Sequence, residues 1–322
     1  MTSTLRIFAA AALAALPVVC AAQNYPAKTV RLIVGFPPGG ANDVLARVLG
    51  PEFNKALGQS FVVENRSGVG GNLATELVAK ASPDGHMLLV GSTGPQGIAP
   101  TLYSKLPFDP ATQIAAVSLI AISGNLVVVH PSLPVKNVRE LIALAKARPG
   151  QLSYASQGNG STGHLATELF KSLAKIDMVH IPYKGDALAL IDVIAGEVPL
   201  LFSGVPPGLP HVRSGRVRLL AVTPGRRLKA LPDVPTVAES GLPGYDVTTW
   251  YGLFTTGGTD PAVIDKIALE TAKIVARPHV QEDIARQGME ATSSSPADFK
   301  RFVAQEVEKW GKVVRAIGAK AD

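Results

Sequence analysis

The sequence predicts an α/β fold built as two lobes with a cleft between them, each lobe a mixed, mostly parallel sheet flanked by helices. Three observations point there. Apolar runs of strand length take turns with amphipathic helical stretches along the 322 residues. That alternation starts afresh near residue 125. A Gly-rich loop also follows a strand and opens a helix in each half, as "GFPPGGAND" (35–43) and as "QGNGSTGH" (157–164).

Taken in order, "TVRLIVGF" (29–36) is a buried-strand run, and a Gly-Pro loop leads from it into the amphipathic stretch "ANDVLARVLGPEFNKAL". "SFVVENR" (60–66) reads as a strand, "NLATELVAKA" (72–81) as a helix and "GHMLLVGS" (85–92) as a strand. The most apolar stretch after the N-terminus, 113–130, is broken by Ser123-Gly124-Asn125, so it reads as two strands with a turn. The second half repeats the grammar. Strands fall at 125–131, 151–156, 178–185, 199–204 and 217–223, and helices at 138–150, 164–174 and 187–198. A Pro-rich segment leads to a strand at 247–256, and two helices close the chain, "AVIDKIALETAKIVA" and "PADFKRFVAQEVEKWGKVVRAIG".

The chain opens with Arg6, an apolar core at 7–19 and the small residues Ala21 and Ala22. This is the layout of a secretory signal peptide, 1–22, too short to span a bilayer. Cys20 raises the possibility of a lipid anchor, but Val18 and Val19 before it are bulky where a lipoprotein signal has small residues, so no anchoring is expected. Cleavage removes the only cysteine, which leaves neither disulfide nor thiol chemistry. The 31 Lys and Arg against 25 Asp and Glu are scattered, with no run longer than Arg226-Arg227. A nucleic-acid surface would cluster them among aromatics, so that partner is excluded. A mild positive field favours small anions.

The opening turn of a helix has unpaired N–H groups and a partial positive charge, and glycine lets an anion come close to them. Each Gly-rich loop is therefore either an ordinary strand-to-helix turn or a seat for a phosphate or carboxylate. Residues 158–163 match G-x-G-x-x-G, the dinucleotide fingerprint, but the acid that should end the next strand is misplaced. Asp177 precedes that strand, and Asp186 lies 28 residues after Gly158. No G-x-S-x-G elbow is present. Ser161 and His164, three apart at a helix start, suit a cap and a first-turn histidine better than a nucleophile and its base, although an exported α/β hydrolase using them stays open. The six histidines show no metal-ligand spacing. Neither a cofactor nor a metal is expected.

Five motifs in order, "YPAKTVRLIVGFPPGGANDVLAR", "VVENRSGVGGNLATELVAKASPDGHMLLVGS", "YASQGNGSTGHLATELF", "IPYKGDALALIDVIAGEV" and "LPDVPTVAESGLPGYDVTTWYGLF", resemble the substrate-binding proteins of tripartite tricarboxylate transporters, the Bordetella uptake gene (Bug) family. The likeness runs from about Tyr25 to the C-terminus. It implies a periplasmic-binding-protein fold of type II with Venus-flytrap closure. One domain would hold 23–125 plus 245–322 and the other 126–244, with the ligand cleft between them. It implies a small carboxylate ligand (a di- or tricarboxylate, an amino acid or an aromatic acid) held between Phe36, Pro38, Gly39, Gly40, Ala41, Asn42 and Asp43 on one side and Ser156, Gly158, Gly160, Ser161, Thr162 and His164 on the other. Ser92, Lys184, Asp186 and Ser203 would read the far end. The implied protein is a monomeric, non-enzymatic, periplasmic receptor that serves the membrane subunits of a transporter or, alternatively, a sensor kinase. The family's "GQVDLMF" pattern stands here as "GEVPLLF", with Pro199 in place of Asp, which bears on the distal pocket. The low aromatic content, 6%, points to a small aliphatic acid.

Overall fold

The computed structural model describes residues 25–320. The expected signal peptide, 1–22, and Cys20 lie outside the described residues. Two sheets organise the chain. The first has six strands: β1 (Val30–Val34), β2 (Phe61–Asn65), β3 (Met87–Ser92), β4 (Ile114–Ser123), β10 (Thr249–Thr256) and β11 (Glu290–Ala291), in the order β11-β4-β10-β3-β1-β2. The second has five: β5 (Asn125–Val129), β6 (Ser153–Ser156), β7 (Val179–Pro182), β8 (Leu200–Gly204) and β9 (Arg218–Val222), in the order β7-β6-β8-β5-β9.

Both sheets are mixed. The β-α-β runs pair in parallel, as β2-β1-β3 and β7-β6-β8. The strands that carry the chain from one sheet to the other, or return it, pair antiparallel. These are β10 with β3 and β4, β11 with β4, and β5 with β8 and β9.

Helices cover both faces of each sheet. On the first sheet, α1 (Ala41–Leu57) lays Leu45, Leu49 and Phe53 against β1, together with Val263 and Ile267 of α8 (Pro261–Val275) and Ile284 of α9 (Pro278–Arg286). The other face holds Ile33, Leu89, Trp250 and Phe254 under α2 (Asn72–Ala79) and Phe299 of α10 (Pro296–Ile317). α3 (Ala99–Leu102) follows an irregular turn after β3. In the second lobe, α4 (Val138–Ala147) and α5 (Thr162–Ala174) cover one face, and α6 (Asp186–Ala195) with α7 (Val205–Arg213) the other. The last helix serves both lobes, since its Trp310 and Val314 pack with Tyr154, Phe170 and Tyr245 of the second.

The chain crosses between the sheets twice, side by side. β4 runs into β5 across Gly124 alone, where a Cβ would lie 2.5 Å from Cγ of Pro224 on the returning chain. Polar groups lash the crossings together. The Asn125 N–H donates to Thr223 Oγ1 (2.7 Å), Thr223 Oγ1 donates to the Val247 carbonyl (2.8 Å) and Thr249 Oγ1 donates to Asn125 Oδ1 (2.9 Å).

Besides the short pieces at 93–98, 99–102 and 290–291, two helices depart from the sequence expectation. A third helix, α9, lies between the two expected at the C-terminus. Residues 205–213, "VPPGLPHVR", form α7 despite three prolines. Pro206 and Pro207 fall in the first turn, where a helix needs no N–H donor.

Candidate functional site

A small pocket, with a cavity volume of about 50 Å³, opens where the lobes meet. The first lobe supplies Phe36, Pro38, Gly40, Ala41, Asn42 and Ser92. The second supplies Gln157, Ser161, Thr162, Asp186, Ala187 and Gly204, and the crossing strands supply Asn125, Thr249 and Tyr251. The starts of three helices, α1, α5 and α6, thus converge on one space. Among the described residues, no lysine, arginine or histidine lines it.

Each start is built differently. The N-cap of α1 is Gly40, which has no side chain to offer, so the first-turn N–H groups are left without a side-chain cap. The side chains nearby brace the loop instead. Asp43 is buried, and its carboxylate accepts from the Gly39 N–H (2.9 Å), Arg47 Nε (2.9 Å) and Asn65 Nδ2 (3.0 Å). Burial pushes this carboxyl up, but the bonds from Arg47, Gly39 and Asn65 outweigh it and hold the group below the ordinary range. Asn42 Nδ2 donates to the Val90 carbonyl (2.8 Å), pinning the helix start to β3. Gly39 sits at φ +86°, a left-handed turn that other residues resist.

The second loop is held by Gln157. Its Oε1 accepts from Ser161 Oγ (3.0 Å) and the Gly163 N–H (3.2 Å), while its Nε2 donates to Asp186 Oδ1 (2.8 Å) and the Phe202 carbonyl (2.9 Å). Ser161 caps α5 by accepting from the His164 backbone N–H (3.3 Å). Gly158 and Gly160 both have positive φ. A Cβ on Gly158 would lie 2.9 Å from the Tyr183 carbonyl oxygen, and one on Gly160 would lie 3.0 Å from the Tyr103 ring.

Behind this loop the His164 and His180 rings stack, 4.2 Å between centroids. His164 Nδ1 accepts from the Gly160 N–H (3.2 Å), and His180 Nε2 is 2.6 Å from Ser156 Oγ, which itself accepts from the Gly158 N–H. Burial lowers both imidazoles, to about 4 for His164 with help from Lys171, and to about 3 for His180 with help from His164. Both rings are neutral at ordinary pH and act as scaffolding.

The structure thus sorts the expected residues. Phe36, Pro38, Gly40, Ala41, Asn42, Ser92, Ser161, Thr162 and Asp186 line the pocket. Gly39, Asp43, Ser156, Gly160, His164 and Ser203 are not on its lining; all but the exposed Gly39 are buried. Gly158 and Lys184 face a neighbouring hollow against residues 68–71. Ser161 Oγ is bonded to Gln157 and a backbone N–H, not to the His164 ring, so no nucleophile–base pair forms. Among the described residues, no His, Cys, Asp or Glu group could hold a metal and no helix is long and apolar enough to cross a membrane.

Sequence reasoning passed over Gln157, Asn125, Thr249 and Tyr251. Gln157 lay inside the quoted loop, but nothing in its spacing marked it as the keystone. The other three sit on strands that read as apolar, and the signal was their polarity at the two crossings.

The two lobes touch at two points along their seam. Gly185, the N-cap of α6, lies against Pro37 of the first loop, and Gly70 lies against the Asn159 carbonyl.

Two α/β lobes joined by paired crossings, meeting on a pocket rimmed by helix starts, define a periplasmic-binding-protein fold. Residues 45–319 match the profile of the tripartite tricarboxylate transporter family receptor, and the chain belongs to that family. Protein BugT of Bordetella pertussis is 36% identical over 321 residues, covering 99% of this chain and 98% of its own. Among solved structures, R. palustris Rpa4515 with adipate superposes with a TM-score of 0.89 at 36% identity, over 92% of this chain and 99% of that one. MatC from Rhodopseudomonas palustris with bound malate gives 0.86 at 31% identity, over 90% and 100%. The family and these neighbours are solute-binding proteins.

Proposed function

We propose that this protein is a periplasmic receptor that captures a small organic acid between its two Gly-rich loops and delivers it to the membrane subunits of a tripartite tricarboxylate-type transporter. Residues 1–22 direct export and are removed. Residues 23–125 with 245–322 form one closing domain and 126–244 the other. The observation that carries the reading is the convergence of three helix starts on a pocket without a cationic side chain. Helix starts hold anions through backbone N–H groups and the aligned peptide dipoles. A carboxylate seated on the uncapped turn at Ala41 and Asn42 and on Thr162 bridges both lobes, so full affinity exists only in the closed state. Adipate and malate in two related receptors support this ligand class.

The test is calorimetry and thermal shift with a panel of organic acids. At least one carboxylate is expected to bind and raise Tm. Stabilisation by a sugar or a cation alone, with no acid bound, would remove the proposal.

A further inference from the structure

Among the described residues, Asp186 is the one carboxylate on the lining of the pocket, and its two oxygens have different surroundings. Oδ1 accepts three hydrogen bonds, from Gln157 Nε2 (2.8 Å), Ser203 Oγ (3.1 Å) and the Gly204 N–H (3.1 Å). Oδ2 accepts none from the described residues. Three donors on one oxygen fix the group and favour its ionised form. Among the described residues no cationic side chain lines the pocket to balance it; its charge is met only by these donors and by the first turn of α6, where it stands half-buried. Burial pushes the Asp186 carboxyl up, against the pull of Gln157, Gly204 and Ser203.

An acid that enters this pocket places a second negative charge near the first. A ligand that brings its own hydrogen-bond donor turns that repulsion into attraction. Resting on the receptor reading above, we infer that Asp186 is the specificity-determining residue and selects carboxylates that carry an ammonium or hydroxyl group, which it binds through Oδ2. The helix starts hold the carboxylate and Asp186 holds the donor. An ammonium gains most, since the contact is then a charge-assisted pair in a water-poor site. Such a site rejects the analogue that lacks the donor, because its own polar group is left unpaired.

The experiment measures Kd at neutral pH for acids in three matched forms, unsubstituted, 2-hydroxy and 2-amino, with succinate, malate and aspartate as one such set. The wild type is expected to bind a donor-bearing form at least about ten-fold more tightly than its unsubstituted partner. In Asp186→Asn the amide oxygen keeps the three donors while the amide nitrogen replaces Oδ2. That variant should fold, lose the preference and bind the unsubstituted acid as well as or better than the wild type. The inference is overturned if the unsubstituted acid binds the wild type as tightly as both substituted forms, or if Asp186→Asn leaves the ratio unchanged. Either result leaves the receptor function standing. Failure of every acid to bind overturns both.

Discussion

Adding one methyl group at Gly185 should separate closure from folding. Gly185 has φ +127° and ψ 168°, a region almost reserved for glycine, and an alanine there costs about 1–3 kcal/mol of strain whether the lobes are open or closed. Only in the closed form does its Cβ meet the other lobe, 2.8 Å from Cδ and 3.1 Å from Cγ of Pro37. Ordinary carbon contacts begin near 3.5 Å, so the overlap is about 0.7 Å. The proline ring cannot rotate away, and overpacking of this kind costs about 1–3 kcal/mol. The seam must part, and ligand affinity should fall about 5- to 150-fold. Gly244→Ala is the control, with φ +86° and open space around the added methyl. Both variants should lower the Tm of the unliganded protein by a few degrees, about 2–4 °C per kcal/mol. Calorimetry should then show loss of affinity in Gly185→Ala alone. Gly70→Ala, which would run into the Asn159 carbonyl across the same seam, should behave as Gly185→Ala does. Equal affinities in Gly185→Ala and Gly244→Ala would refute a closed seam as the source of binding energy.

Three further outcomes are expected. The His164 and His180 rings are held neutral, so the unfolded chain takes up protons first as pH falls. Their contribution is full above pH 6.5 and is lost from there down to about 4 for His164 and about 3 for His180, on the order of 3 kcal/mol for His164. Denaturant midpoints across that range should show it, with a flatter profile in His164→Asn. Glu306, buried on α10, accepts from the indole N–H groups of Trp250 (2.9 Å) and Trp310 (3.2 Å). Glu306→Ala strands both donors and should cost about 2–4 kcal/mol, whereas Glu306→Gln, which keeps an acceptor, should cost less than half of that in the same melt. Ser161→Ala removes the cap of α5 and should cost about 1 kcal/mol. If the Ser161 hydroxyl instead had a covalent role, an ester substrate would be turned over by the wild type and not by this variant.

The alternation of strands and helices was legible because β1, β3 and β5 are almost wholly buried and therefore largely apolar, with Arg31 the one charged residue among them. The loops at 35–43 and 157–164 were legible for a different reason, since positive φ and close approach demand glycine there. Less visible was the division of labour within them. Asp43 and His164 look like ligand groups in a motif, but their partners, Asn65 and His180, come from distant parts of the sequence. Lys184 sits two residues from Asp186 and yet faces another hollow, because Gly185 at φ +127° turns the chain between them. The helix 205–213 was hidden by its prolines; the cost of Pro206 and Pro207 vanishes at a helix start, and Pro210 lies inside the helix.

The place of β10 in the first sheet governs the order in which the molecule can assemble. β10 lies between β3 and β4 and is hydrogen-bonded to both, although some 126 residues separate it from β4 along the chain. All the strands of the second sheet come between these two events. That sheet is complete once β9 has emerged, while β3 and β4 still present open edges with nothing to join them. The C-terminal part of the chain therefore acts as the wedge that completes the first lobe. A chain that stops before Thr249 would hold a finished second sheet beside a split first one, with the open edges of β3 and β4 free to pair with another molecule.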